Sequence, residues 1–139
     1  MSVFDTIRIA ASGLTAERLR MDVAASNIAN AQTTQTQNGQ AGQPYQEEEV
    51  VFQATQMGPM AAAQGVSAVA IVKSTQPGTR VYDPSNPDAD STGFVNYPNV
   101  SVASQMSDMM GAARSYQVNA TVAQAAKQLA LDALDLGKA

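Results

Sequence analysis

A mainly α-helical fold with a small β insert is predicted for this chain by two observations. Its ends carry apolar residues at three- and four-residue spacing, with no proline after Pro98, whereas the middle breaks into short runs of Val, Ile, Phe and Tyr separated by turn residues. The terminal helices are the only elements long enough to share a core. They are therefore expected to pair, antiparallel or nearly so, as a coiled-coil-like hairpin with short β-strands between them. The chain divides accordingly into an N-terminal helix (1–30), a flexible linker (31–44), a β-rich insert (45–98) and a C-terminal helix (99–139).

In the first helix Phe4, Ile7, Ala11, Leu14, Met21, Ala25 and Ile28 form one apolar seam, with Arg18 its only charged member. Asp5, Arg8, Glu17, Arg20 and Asp22 are expected on the opposite face. Gly13 lies inside the helix at a cost of ~1 kcal/mol relative to alanine, which either a close helix approach or a local kink accounts for. Asn27 and Asn30 suit hydrogen bonding to the last helical carbonyls or an αL cap.

The tract from Ala31 to Gln43 is polar, glycine-bearing and low in complexity, so it is read as a linker or as a segment ordered by a neighbour. Strands are predicted over 45–54, 65–74, 79–82 and 94–97, joined in a small marginal sheet, with a loop over 53–64. The triplet Glu47, Glu48 and Glu49 reads as a solvated strand edge that discourages edge pairing.

The last segment carries a narrow seam through Val102, Met106, Met109, Ala113, Tyr116, Ala120, Ala123, Lys127, Ala130 and Leu134. A second one, Val122, Ala126, Leu129, Ala133 and Leu136, widens the apolar arc over the final turns, so this helix needs partners on more than one side. Asn99 and Ser101 offer N-caps and Gly137 a stop. A helix over these residues is on the order of 55 Å long.

Composition removes several functions. With no cysteine and no histidine, thiolate chemistry, disulfides, the commonest general base and the commonest metal ligand are all missing. The net charge is −4 and the basic residues form no stripe, which disfavours nucleic acid and anionic lipid. No run of about 18 apolar residues suggests membrane insertion, and the first residues lack the basic and apolar regions of a cleaved secretory signal. Asp88, Asp90 and Gly93 imitate the start of a calcium loop, but Thr92 and Asn99 stand where later ligands belong. A turn cluster built on Asp-Pro and Asn-Pro steps explains them better. No catalytic set, cofactor site or metal site is predicted, and the chain is not expected to be an enzyme.

The stretch SGLTAERLRMDVAASNIANAQTT, Ser12 to Thr34, centred on Asn27, Ala29, Asn30 and Thr33, resembles the N-terminal signature of bacterial flagellar axial proteins, the rod and hook family. RSYQVN, Arg114 to Asn119, is similar to the R-x-Y-x-x-N motif of that family's C-terminal helix. The middle, GVSAVAIV and then VYDPSNPDADSTGFVNYPNV, looks like the proximal-rod branch. Asn86 departs from that branch's pattern, where a histidine is expected, and the tract from Thr33 to Gln43 is unusually rich in glutamine.

The resemblance implies a non-enzymatic rod subunit that self-associates in a helical assembly and passes torque from motor to hook. It implies as partners other proximal and distal rod proteins, the rod-base adaptor and the flagellar type III export apparatus, with residence in the periplasmic rod. Subunit packing is then expected at Leu14, Met21, Ala25, Ile28, Met106, Met109, Ala113, Tyr116, Ala120 and Leu129. Inter-subunit polar contacts are expected at Asn27, Asn30, Arg114, Tyr116 and Asn119. Alternatives are another flagellar axial subunit, or a small calcium- or ligand-binding module with helical arms.

Overall fold

The computed structural model describes residues 3–35, 43–56 and 64–137. Helix α1 (Val3–Ala29) opens the chain and helix α2 (Val102–Leu136) closes it. Between them come strands β1 (Glu48–Gln56), β2 (Gln64–Lys73), β3 (Thr79–Tyr82) and β4 (Phe94–Tyr97). Of the expected loop over 53–64, residues 53–56 continue β1, Gln64 opens β2, and 57–63 lie outside the described residues. Within the expected linker, 31–35 form a turn on the end of α1, closed by Thr33 N donating to Asn30 O at 3.0 Å. The rest of that expectation falls largely on 36–42, which are also outside the described residues.

The single sheet expected is corrected to two antiparallel ribbons, β1–β2 and β3–β4. The reason lies at the edges. Val66 N on β2 donates to Ser12 Oγ of α1 at 3.1 Å, so that edge already faces a helix. The connection to β3 also contains Pro77, which has no N–H to offer a ladder. Gly93 closes the second ribbon with φ of 80°, a conformation that favours glycine. Phe94 meets Tyr82 edge-on at 5.2 Å, while the Arg80 guanidinium sits 4.8 Å over the Phe94 ring.

The two helices pair as expected, and antiparallel. Asn27 meets Gln105 at one end of the contact, and Gly13 meets Asn119 fourteen residues further along each helix. A Cβ at Gly13 would lie 2.7 Å from the Asn119 amide nitrogen, so close approach rather than a kink explains this glycine. Continued in the same register, Val3 falls opposite Leu129. The last two turns of α2 thus run past the start of α1, and every residue from Leu131 to Gly137 is exposed.

Which faces meet differs from the sequence expectation. The buried line of α1 is Ala10, Gly13, Ala16, Val23, Ala24 and Asn27, and that of α2 is Gln105, Ala112 and Ala126. Most of these positions fall one residue before the first predicted seam, as Gly13 beside Leu14, Asn27 beside Ile28, Gln105 beside Met106 and Ala112 beside Ala113, whereas Ala16 and Val23 adjoin no seam residue and Ala126 lies on the second seam as expected. One residue is about 100° of helix rotation, so the bulky apolar seam of α1 is turned away from α2. Small side chains let the axes approach, and the contact selects them over bulk. Glu17 and Arg20, expected on the far face, lie towards α2 instead. There Arg20 bridges Asp108 at 3.0 Å and stays half-exposed, so the pair contributes little by itself.

Candidate assembly interface

Two regions of the hairpin differ in how their polar and apolar groups are satisfied, and both involve residues singled out from sequence. At the closed end, Asn27 is 1% exposed and uses its whole amide. Its Nδ2 donates to Glu48 O at 2.8 Å and to Gln105 Oε1 at 3.0 Å. Its Oδ1 accepts from Tyr45 Oη at 2.8 Å and from Glu48 N at 2.9 Å. Two donors and two acceptors exhaust an asparagine. Gln105 in turn donates from Nε2 to Glu47 Oε1. Burial, reinforced by the Glu48 and Glu47 charges, pushes the Tyr45 phenol above its ordinary value, so it remains a donor at neutral pH.

Asn30 caps the same helix. Its Nδ2 donates to Ser26 O at 2.9 Å and its Oδ1 accepts from Thr33 Oγ1 at 3.2 Å. One turn further on, Thr34 Oγ1 and Gln35 Nε2 both donate to Asp88, tying the chain after α1 to the β3–β4 turn. The spacing of Asn27, Asn30 and Thr33 is therefore explained by bonds within one chain. Asn27 was expected to contact a neighbour; within the chain its amide is already saturated. Asn119 packs inward on Gly13. Arg114 and Tyr116, by contrast, are exposed and form no hydrogen bond or ion pair among the described residues.

The ten expected packing residues stand outside the hairpin's buried line. Leu14, Met21, Ile28, Met109, Ala113 and Ala120 are half-buried, while Ala25, Met106, Tyr116 and Leu129 are exposed. Large apolar residues are exposed along the whole of α2, from Met110 at 66% to Leu129, Leu134 and Leu136 at 64%, 61% and 79%. Monomeric domains seldom leave such a contiguous apolar surface uncovered. Sequence reasoning missed Tyr45, Glu47 and Gln105. The only signal was the seven-residue spacing of Gln105, Ala112, Asn119 and Ala126, which marks a helix contact line without large apolar residues.

Two open clefts, of about 1060 and 700 Å³, flank the closed end. Polar groups line both, and those of the smaller, such as Arg20 and Asp108, are already paired. The aspartates of the turn over 83–93 are engaged by local donors. Asp83 accepts from Ser85, and Asp90 accepts from Thr92 N at 2.8 Å and from Phe94 N at 3.0 Å. The Thr92 hydroxyl bonded to Asp90, helped by backbone N–H groups and Arg80, holds that carboxyl down at about 2. This is the bonding of a turn cluster.

A saturated joint, a helix hairpin with a thin core and an uncovered apolar exterior define a structural protein built to be covered by other subunits. The profile for flagella basal body rod proteins matches residues 7–35, and that for the C-terminal region of flagellar basal body rod FlgEFG proteins matches 91–136. Together they cover most of α1 and all of α2, with Asn27 and Gln105 of the joint. The flagellar basal-body rod protein FlgC of Escherichia coli O157:H7 is 43% identical over 99% of this chain and 100% of its own length. The FlgC proteins of Salmonella typhimurium and Bacillus subtilis are 41% and 37% identical with the same coverage. The chain belongs to the flagellar basal-body rod protein family, which is structural and non-enzymatic.

Proposed function

We propose that this chain is a subunit of the proximal rod, packed with its copies and with other rod proteins into the drive shaft that carries torque to the hook. The single observation carrying the proposal is the one-residue offset between the line buried inside the hairpin and the bulkier apolar seam. An isolated chain spends its small residues on itself and leaves Leu14, Met21, Ile28, Met106 and Leu129 for company. In this reading the terminal helices, 1–30 and 99–139, form an axially oriented inner layer, and the β insert over 45–98 forms an outer one. The resemblance further suggests contacts with the distal rod and the rod-base adaptor, and export through the flagellar type III apparatus into the periplasmic rod without a cleaved signal.

A thin core suits this route. A chain that gains buried surface only on docking is stabilised by its neighbours through mass action. Arg114 and Tyr116, unbonded among the described residues, are the polar contacts left for a neighbour. The test is Tyr116→Ala in the native bacterium: export persists while incorporation into isolated basal bodies falls several-fold. Wild-type rod yield and motility in that variant refute the role of Tyr116. Absence of the wild-type chain from isolated basal bodies refutes the proposal itself.

A further inference from the structure

Two apolar surfaces of the hairpin carry charges of opposite sign at their centres, Asp132 on one and Arg18 on the other. One is the end of α2, where Leu129, opposite the start of α1, and Leu131, Leu134 and Leu136 past it are 46–79% exposed. Asp132 lies at the centre of these leucines and is exposed. The other is the outward seam of α1, in which Ile7, Leu14, Met21 and Ile28 are half-buried and Ala11, Arg18 and Ala25 are exposed, one every seven residues. Arg18 sits at its centre with no hydrogen bond or ion pair among the described residues, and Asp22 one turn on lies beyond ion-pairing distance.

We infer that the leucine-rich end of α2 in one copy docks on the outward seam of α1 in the next, with Arg18 facing Asp132. This rests on the rod reading and names the contact within it. The charges choose the arrangement. Two α2 ends brought together would leave Arg18 without a partner, and two α1 seams would juxtapose Arg18 with its copy, whereas end on seam sets Arg18 against Asp132. The small Ala11 and Ala25 flank Arg18 and leave room for leucines to settle between the larger side chains. Asp132 keeps one oxygen for this contact, since only Oδ1 accepts from Gln128 Nε2, at 2.8 Å.

One chain cannot make the contact with itself. Arg18 lies along the paired length of the hairpin, opposite Arg114 in the register set by Asn27 and Gln105. Asp132 lies eighteen residues further on, roughly 27 Å along the axis. Docked head to tail, each copy offers its α2 end to one neighbour and its α1 seam to another, and such a heterologous contact generates rings or open helical arrays, whereas a reciprocal closed dimer from R18C/D132C would overturn it. The docking end spans only about 10 Å of helix, so a single contact is weak and the array gains strength by repetition.

The experiment is reciprocal charge exchange in the native bacterium, read as chain content of isolated basal bodies. Arg18→Glu and Asp132→Arg are each expected to lower incorporation at least five-fold with unchanged export, and the double variant is expected to recover at least half of the wild-type level. Because the chain has no cysteine, R18C/D132C supplies a second readout. Oxidation should give a ladder of trimers and longer species from the double variant and none from either single variant. Wild-type incorporation of both charge variants, a double no better than its singles, or dimers from D132C alone would each overturn the docking. All three leave the rod assignment intact, because that assignment fails only if the chain is absent from basal bodies.

Discussion

The closed and open ends of the hairpin are built from the same two helices and solve opposite problems. At the closed end every atom of the Asn27 amide has a partner inside the chain, and the partners come from α1, the approach to β1 and α2. At the open end α2 outruns α1, and its leucines stay 46–79% exposed. One end is finished on folding; the other is finished only by assembly. Damage at the closed end should therefore appear as lost stability of the isolated chain, and damage at the open end as lost assembly with stability unchanged.

The largest expected effect is at Asn27. Asn27→Ala strands the Glu48 N–H and carbonyl, the Tyr45 hydroxyl and Gln105 at a buried site, where each unsatisfied group costs on the order of 1–3 kcal/mol before relaxation. Urea unfolding of the isolated chain should show a loss of about 3 kcal/mol. A loss below about 1 kcal/mol would show that the joint is not what fixes that end.

Next in size is the helix approach at Gly13. Gly13→Ala in the wild-type background sets a Cβ against the Asn119 amide and is expected to destabilise by about 1 kcal/mol, the overpacking cost exceeding the gain in helix propensity. In an Asn119→Ala background the clash is gone and the same change should stabilise by about 1 kcal/mol. The sign reversal in this double-mutant cycle is the measurement. Gly111 has open space around it, so Gly111→Ala should stabilise in either background.

At the open end, Leu134→Gln with Leu136→Gln should shift the urea midpoint by less than the equivalent of ~0.5 kcal/mol, since both residues are already solvated. Rod incorporation should nevertheless fall several-fold. A change in stability comparable to that of Asn27→Ala would erase the contrast between the ends.

The smallest effect belongs to the turn over 83–93, remote from both ends. Asp90 is held at about 2 from an ordinary 3.8, so its contribution is present above the unfolded value and is lost as pH falls through about 2. Titration of the carboxyl by NMR should find the low value in the wild type. Thr92→Val, which removes the hydroxyl donor, should raise it towards 3.8.

Element type was legible in the sequence, and so were the ends of β3 and β4 and the Ser101 cap of α2, because periodicity and turn chemistry are local. The contacting faces were not. Counting apolar bulk selects Leu14, Met21, Ile28 and Met106, but intrachain packing selects the neighbouring Gly13, Ala24, Asn27 and Gln105, since close approach of axes rewards small size. Alanine fits either line, so composition does not separate them. Asn27 was recognisable as a helix-end residue, yet its partners lie 18, 21 and 78 positions away, beyond any local signal. The glutamate triplet misled for the same reason. Glu47 and Glu48 serve the joint, and only Glu49 behaves as a solvated edge.

The one-residue displacement between the buried line and the bulky seam gives each helix two independent scripts. One is addressed to the chain itself and is written mainly in glycine, alanine and two amides; the other, on the proposed reading, is addressed to its copies and is written in leucine, methionine and isolated charges. Substitutions in the second script can strengthen or loosen a shaft without touching the fold that presents it. Shafts of different stiffness are therefore reachable from one hairpin by editing its exterior alone.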